Sequence, residues 1–101
     1  MKKYEYIKWY WDHDDKGYPV IFIYEVDTEN ERYATRIAEV YADRTVKQVI
    51  EEGFEFITEA PIPVIEEINA EPEYFAEIIT KEEFELIYQQ EIYTDDICFP
   101  K

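Results

Sequence analysis

His13 is the only histidine in the sequence, and it stands in a run of acidic residues made up of Asp12, Asp14 and Asp15. An imidazole beside carboxylates can hold a divalent metal or transfer protons. Metal ligands must converge on one point, however, whereas consecutive residues of a turn point in different directions. We therefore interpret residues 12–17 as a solvated hairpin turn whose aspartates bond to nearby backbone amides. No metal and no cofactor is expected.

The remaining inventory of reactive side chains is small. The chain has no serine, one cysteine (Cys98) and two glycines (Gly17 and Gly53). Serine triads, cysteine-rich zinc clusters and glycine-rich loops for phosphates or dinucleotides are therefore excluded. An enzyme built around His13 is the weakest hypothesis, because no second histidine accompanies it. We expect a protein that is not an enzyme.

Two arginines, Arg32 and Arg36, lie four residues apart in a predicted strand. Alternation of side chains places both on one face of that strand, together with Ala34. They can bind an external anionic group or pair with carboxylates of this chain, such as Glu5, Glu25 or those of the C-terminal half. Because 25 acids stand against 10 bases, we favour internal pairing.

Acidic residues are concentrated in the second half of the chain. The formal net charge is −15 over 101 residues; residues 1–50 have 10 acids and 8 bases, and residues 51–101 have 15 acids and 2 bases. This balance argues against nucleic-acid binding, which needs a surplus of lysine and arginine. A surface of one sign also raises self-repulsion without improving the fold. We interpret the acidic half as a surface that docks on a basic protein, with solubility alone as the alternative explanation.

The candidate contact residues fall into an acidic and an aromatic group. The acidic candidates lie in two predicted helices, and the aromatic candidates share one face of the first predicted strand. Tyrosine occurs ten times, and it combines a large rigid surface with a polar tip that suits protein interfaces. The candidate partner-binding residues are Glu66, Glu67, Glu82, Glu83, Glu85, Tyr4, Tyr6 and Tyr10.

The strands are predicted from the periodicity of the sequence. Alternation over residues 4–11 places the tyrosines on one face and Ile7 and Trp9 on the other. Residues 20–26 are apolar on both faces, which is typical of a central strand. Further strands of an antiparallel meander are expected at residues 32–41, 45–50 and 54–58. Residues 74–79 form either another strand or an extended arm.

Two helices are predicted after the meander. Residues 64–69 form one or two helical turns, with Val64, Ile65 and Ile68 facing inward. The C-terminal helix begins with a capping box over residues 80–83, in which the Thr80 hydroxyl accepts from the amide of residue 83. Ile79 and Phe84 form a hydrophobic staple at its start, and Phe84, Ile87 and Tyr88 form one apolar stripe.

The fold class that follows from these elements is α+β. We expect an antiparallel β-meander of four to six strands with one short and one longer C-terminal helix packed on one face. Residues 1–90 are expected to form a single domain. Residues 91–101 are expected to form a C-terminal tail that docks through Ile97 and Phe99.

Several strings within residues 4–90 resemble a small bacterial family described as domain of unknown function 6881. They include PVIFIYE at residues 19–25, ERYATR at 31–36, EVYAD at 39–43, EEINA at 66–70 and KEEFE at 81–85, together with residues 9–13 and 61–63. The resemblance implies a compact stand-alone bacterial domain and assigns no activity. The chain departs from the pattern in two places, with Asp43-Arg44 where an Asp-Gly turn is expected and a longer tail beyond Gln90.

The expected function is protein binding. The leading hypothesis is a non-enzymatic, immunity-type inhibitor that neutralises a basic bacterial toxin or nuclease. The alternative is a nucleic-acid mimic from a phage or mobile element, which inhibits a host defence nuclease such as a CRISPR effector. Because the sequence shows no secretory signal and no apolar run of membrane-spanning length, we expect a cytoplasmic location and no membrane partner. Its oligomeric state is left open.

Overall fold

The computed structural model of the chain describes residues 3–29, 31–49, 61–95 and 97–100. Within them lie β1 (Tyr4–Trp11), β2 (Ile21–Asp27), β3 (Tyr33–Val40), β4 (Val46–Val49), α1 (Ile65–Asn69), β5 (Tyr74–Ile79) and α2 (Lys81–Tyr88). The predicted α+β meander with its longer helix at the C-terminal end is confirmed. The strand expected at residues 54–58 lies outside the described residues.

The strands form one antiparallel sheet in the order β4-β3-β2-β1-β5. The apolar run in β2 correctly predicted a central strand, since Ile21, Ile23 and Val26 are fully buried. Residues 74–79 prove to be a strand, which pairs with β1 on the side away from β2. Among the described elements, β5 and β4 are therefore the two outer strands.

Each face of the sheet has its own hydrophobic core. The α2 face joins Tyr10 and Ile23 of the sheet to Phe84 of α2. The α1 face joins residues such as Ile7 to Ile68 of α1. The prediction that both helices pack on one face is therefore wrong. The helices separate because β5 lies between them in the chain, and side chains of a strand point alternately to opposite faces.

A β-bulge interrupts the alternation of β3. Glu25 of β2 pairs with Arg36, but the neighbouring Val26 pairs with Ala34, so Thr35 is an extra residue. This shift moves Ala34 to the α1 face, whereas Arg36 stays on the α2 face. Arg32 lies before the strand, with a φ of 63°. The prediction that both arginines and Ala34 share a face is wrong, because alternation holds only along an uninterrupted ladder.

Helix α2 begins where its capping box predicts, whereas α1 begins one residue later than predicted. Thr80 caps α2, and its hydroxyl accepts a hydrogen bond from the Glu83 amide at 3.1 Å, as predicted. In α1, Ile68 is buried, but Val64 is the residue before the helix and is exposed instead of facing inward.

Within the part of the chain that the structure describes, no helix is long and apolar enough to cross a membrane.

The C-terminal segment, residues 91–95 and 97–100, folds over the α2 face. Ile97 and Phe99 pack against this core as predicted, and Tyr93 is 1% exposed. The Arg44 guanidinium donates to the backbone oxygens of Tyr93 at 3.1 Å and Asp95 at 2.6 Å. Arg44 has a φ of 74°, a left-handed conformation that favours glycine. Its bonds to the C-terminal segment offset the strain at this turn.

Candidate protein-binding face

Arg36 holds α2 against the sheet. Its Nε and Nη2 donate to the two carboxylate oxygens of Glu25 at 3.0 and 2.6 Å. Its Nη1 donates to Glu85 of α2 at 3.2 Å, and Nη2 forms an ion pair with the same carboxylate. The guanidinium also lies over the rings of Phe84 and Tyr88, 4.8 and 5.0 Å from their centres. A planar guanidinium can bond to carboxylates and stack on rings together, so Arg36 fixes the position of the helix.

Glu25 is the acid at the centre of this cluster. Besides Arg36, the Thr35 hydroxyl donates to it at 2.6 Å and the Tyr6 hydroxyl at 3.1 Å. Burial alone would raise the pKa of Glu25, but the hydrogen bonds from Arg36 and Thr35 lower this pKa below its ordinary value. Burial and the neighbouring Glu25 carboxylate raise the pKa of Tyr6 to about 12. The internal pairing predicted for Arg36 is confirmed, and Arg32 likewise pairs with Glu5 at 2.9 Å.

The outer side of α2 presents two acids and one large apolar residue. Glu82 and Glu83 are exposed, and Leu86 is 65% exposed. Leu86 follows them by four and three residues, so the three side chains are neighbours on the helix surface. We call these three residues the acidic helix face. The exposed Lys81 begins the same helix.

The other predicted acidic contacts do not join the acidic helix face. Glu66 and Glu67 are exposed, but they lie in α1 on the opposite face of the sheet. Glu85 is tied to Arg36 and contributes to the position of α2. Among the described residues, the predicted acidic contacts of the two helices therefore lie on opposite faces of the sheet.

The aromatic candidates are mostly in the core. Tyr6 and Tyr10 are 9% and 8% exposed, and they pack beneath α2 and the C-terminal segment. This burial corrects the expectation that they form a contact surface, since the alternation of β1 predicts a shared face but does not show what covers it. Tyr4 is 39% exposed and remains accessible.

The sequence of most of the chain matches one family of protein domains. A model described as "Domain of unknown function (DUF6881)" matches residues 5–93. The chain belongs to this family. No curated protein and no solved structure matches it. The matched residues of this DUF6881 domain end at Tyr93, which is buried in the core on the α2 face.

Tyr93 is the buried residue of the DUF6881 domain that sequence reasoning missed. The Lys8 ammonium donates a hydrogen bond to its hydroxyl and lies 5.0 Å from the ring centres of both Tyr10 and Tyr93. Burial alone would lower the pKa of Lys8, but its hydrogen bonds with the two tyrosines raise this pKa overall. The signal available in the sequence was Lys8 on an otherwise tyrosine-rich strand face, which requires a polar partner when it is covered.

His13 of the DUF6881 domain uses both ring nitrogens within its own turn. Its Nδ1 accepts from the Asp15 amide at 3.0 Å, so Nε2 carries the proton and donates to the Pro19 carbonyl at 2.9 Å. A cavity of about 140 Å³ adjoins the turn, lined by Tyr10, Trp11, Asp12, His13, Val20, Ile97 and Phe99. Ligand pockets usually measure about 300–1,000 Å³, so this cavity admits only a small group.

Several basic side chains of the DUF6881 domain are engaged inside the molecule. The contacts are Arg32 with Glu5, Arg36 with Glu25 and Glu85, Arg44 with two backbone oxygens, and Lys8 with Tyr93. Acids such as Glu66, Glu82 and Glu83 are exposed. Among the described residues, the three arginines and Lys8 are therefore engaged within the fold, whereas the exposed charges include these acids and the lysines Lys3, Lys16, Lys47 and Lys81.

Proposed function

We propose that this DUF6881 protein is a non-enzymatic, immunity-type inhibitor that binds a basic bacterial toxin or nuclease in the cytoplasm. The observation that carries the proposal is the separation of charges. Arginines that would balance the surface acids are used within the fold, while Glu82 and Glu83 face solvent. Such a field accelerates the encounter with an oppositely charged partner by about 10–10³-fold.

The acidic helix face is the part of the surface best suited to this contact. Arg36 and the buried Phe84 fix α2 on the sheet, so little ordering remains to be done when a partner binds. Leu86 supplies an apolar centre beside Glu82 and Glu83. An apolar centre with a charged rim is the usual composition of a protein interface. We therefore assign the docking surface to the acidic helix face and not to α1.

The separation of the acidic patches favours this hypothesis over nucleic-acid mimicry. A mimic must present carboxylates in a row that follows the spacing of phosphates along one groove. Here Glu66 and Glu67 lie on the face opposite Glu82 and Glu83. A compact contact centred on α2 requires only one of these patches.

The proposal is tested by capture and inhibition. The full chain is immobilised, incubated with a lysate of its source cells and eluted with increasing salt. The retained proteins are identified by mass spectrometry, and each basic protein is purified and assayed for nuclease or toxic activity with an equimolar amount of the chain. We expect one such activity to be lost, because the chain occupies the positive surface of its target.

Charge-reversal variants locate the contact. The variant Glu82→Lys with Glu83→Lys should no longer inhibit the target, whereas the matched control, Glu66→Lys with Glu67→Lys, should inhibit it normally. An unchanged target activity in the presence of the wild-type chain contradicts the proposal. Equal loss with both variants, for a target that binds nucleic acid, would instead support mimicry over the whole acidic surface.

A further inference from the structure

The outer edge of β5 is bonded to a side chain. Asn69, the last residue of α1, accepts from the Ala76 amide through Oδ1 at 2.6 Å and donates to the Ala76 carbonyl through Nδ2 at 3.0 Å. In an antiparallel sheet, a residue of the neighbouring strand makes this same pair of bonds. The Asn69 amide therefore occupies the place that the backbone of another strand would take.

The hydrogen-bond pattern between β1 and β5 shows that the amide and carbonyl of Ala76 point away from β1. Just before β5, the Glu73 carbonyl accepts from the amide of Asp12, at the end of β1, at 2.8 Å. Backbone groups in an antiparallel strand alternate in direction from one residue to the next. The amides and carbonyls of Tyr74, Ala76 and Ile78 thus point away from β1.

We propose that the outer edge of β5 is a strand-addition surface for a second copy of this chain, and that Asn69 keeps it closed. Antiparallel pairing of two β5 strands about Ala76 is self-complementary, as a two-fold interface must be. Ala76 then faces its own copy, Tyr74 faces Ile78, and Phe75 faces Glu77. No two carboxylates oppose each other in this register, and Ile78 is already 50% exposed.

Two forces keep the chain from pairing through this edge. Asn69 satisfies the central amide and carbonyl, and the net charge of −15 makes two copies repel each other. An unpaired outer strand otherwise invites another strand to add, and natural proteins prevent this in specific ways. The inference is independent of the proposed function, because it concerns a different surface and needs no basic partner.

The test measures the oligomeric state of the full chain by size-exclusion chromatography with light scattering. Wild type should be a monomer at all concentrations. The variant Asn69→Ala should form dimers, with a dimer fraction that rises with protein concentration and with salt, since salt screens the repulsion between copies. This salt dependence is opposite to that of binding to a basic partner.

Two control variants separate the role of Asn69 from general destabilisation. Ile68→Val weakens the packing of α1 but leaves Asn69 in place, and it should stay monomeric. Adding Ile78→Lys to Asn69→Ala places a charge on the exposed edge and should restore the monomer. A dimer that persists in this double variant, or that forms equally with Ile68→Val, would show a different interface and overturn the proposal.

Hydrogen exchange provides a measurement on the wild-type chain, which requires no variant to fold. The Ala76 amide should exchange about tenfold or more slowly than the Ile78 amide, because Asn69 bonds only to the first. In Asn69→Ala at low concentration this difference should disappear because both amides exchange fast, and as dimers form both amides should slow, because each then bonds to the second copy. Equal exchange of the two amides in wild type contradicts the proposal, and so does an Asn69→Ala variant that stays monomeric at all protein and salt concentrations.

Discussion

The two faces of the sheet are covered by different kinds of contact. On the α2 face, charged groups are embedded in the core, where Arg36 joins Glu25 to Glu85 and Lys8 bonds to Tyr93. On the α1 face, aromatic rings pack around one tryptophan. Trp9 lies near Phe22, Tyr24 and Tyr74, with ring centres 6.4, 5.8 and 5.1 Å away.

The difference shows which face has a fixed geometry. Ion pairs and hydrogen bonds depend on direction, so the Arg36 cluster permits one position for α2. Ring packing is less directional, and on the α1 face the buried Nε1 of Trp9 has no hydrogen-bond partner among the described residues. The face with the more specific contacts is the one that carries the acidic helix face.

The largest expected loss of stability follows from a change in the core beneath α2. Phe84 is fully buried and contacts Tyr6 and Tyr88, so Phe84→Ala should lower the free energy of unfolding by about 3–5 kcal/mol. That is a large share of the roughly 5–15 kcal/mol available to a small domain. Urea melts measure it, with Ile68→Ala as the matched change on the α1 face. If Ile68→Ala lost more unfolding free energy than Phe84→Ala, the α1 face and not the α2 face would contribute more to stability.

The second effect concerns the arginines on the two faces. Arg36→Met leaves the Glu25 carboxylate, which is 10% exposed, without its main partner, and should cost about 1–3 kcal/mol. Glu5→Gln removes the charge that pairs with Arg32 but leaves the bonds of Arg32 to the backbone oxygens of Ile62 and Pro63. Because the Glu5 side chain is 32% exposed, this change should cost about 0–1 kcal/mol. Urea melts at neutral pH give both values. Equal costs would mean that the Arg36 cluster stabilises the α2 face no more than the Glu5–Arg32 pair stabilises the α1 face.

The same cluster predicts a dependence of stability on pH. In the folded state the pKa of Glu25 lies below its ordinary value of 4.5, so folding favours the ionised carboxylate. Its contribution is present at neutral pH and is lost as the pH falls below about 4.5. In Glu25→Gln this acid-dependent loss should be smaller. An identical pH profile in both proteins would contradict the assignment.

A smaller loss of stability than in the core is expected at the beginning of α2. Thr80→Ala removes the hydroxyl that accepts from the Glu83 amide and should cost about 0.5–2 kcal/mol. Thr80→Ser retains the acceptor and serves as the control. If Thr80→Ala proved as damaging as Phe84→Ala in urea melts, the α2 face would depend on the cap more than on its core.

Local patterns in the sequence predicted the elements but not their arrangement. The apolar run of β2, the alternation of β1 and the capping box at Thr80 each depend on neighbours in the chain. The faces chosen by α1 and α2 depend on where β5 joins the sheet, which no local pattern determines. The bulge at Thr35 likewise changed the face of Ala34 without any signal in the residue types.

The sequence predicted which residue types form the candidate site but not where the fold places them. The excess of acids correctly predicted that Arg36 pairs within the chain, and it also led to a single acidic surface that the structure divides. Arg44 contacts the C-terminal segment through the backbone oxygens of Tyr93 and Asp95, and the family match extends to residue 93. Contacts between such distant positions become visible only in the folded chain.

The central claim, that the acidic helix face docks on a basic protein, is tested most directly by the association rate. The captured target is mixed with the chain in stopped-flow experiments over a range of salt concentrations. Two variants receive the same change of charge on opposite faces, Glu82→Lys with Glu83→Lys and Glu66→Lys with Glu67→Lys. The account predicts that the first pair slows association about tenfold or more and flattens its salt dependence, while the second pair has much less effect. Equal rates for the two variants would contradict it.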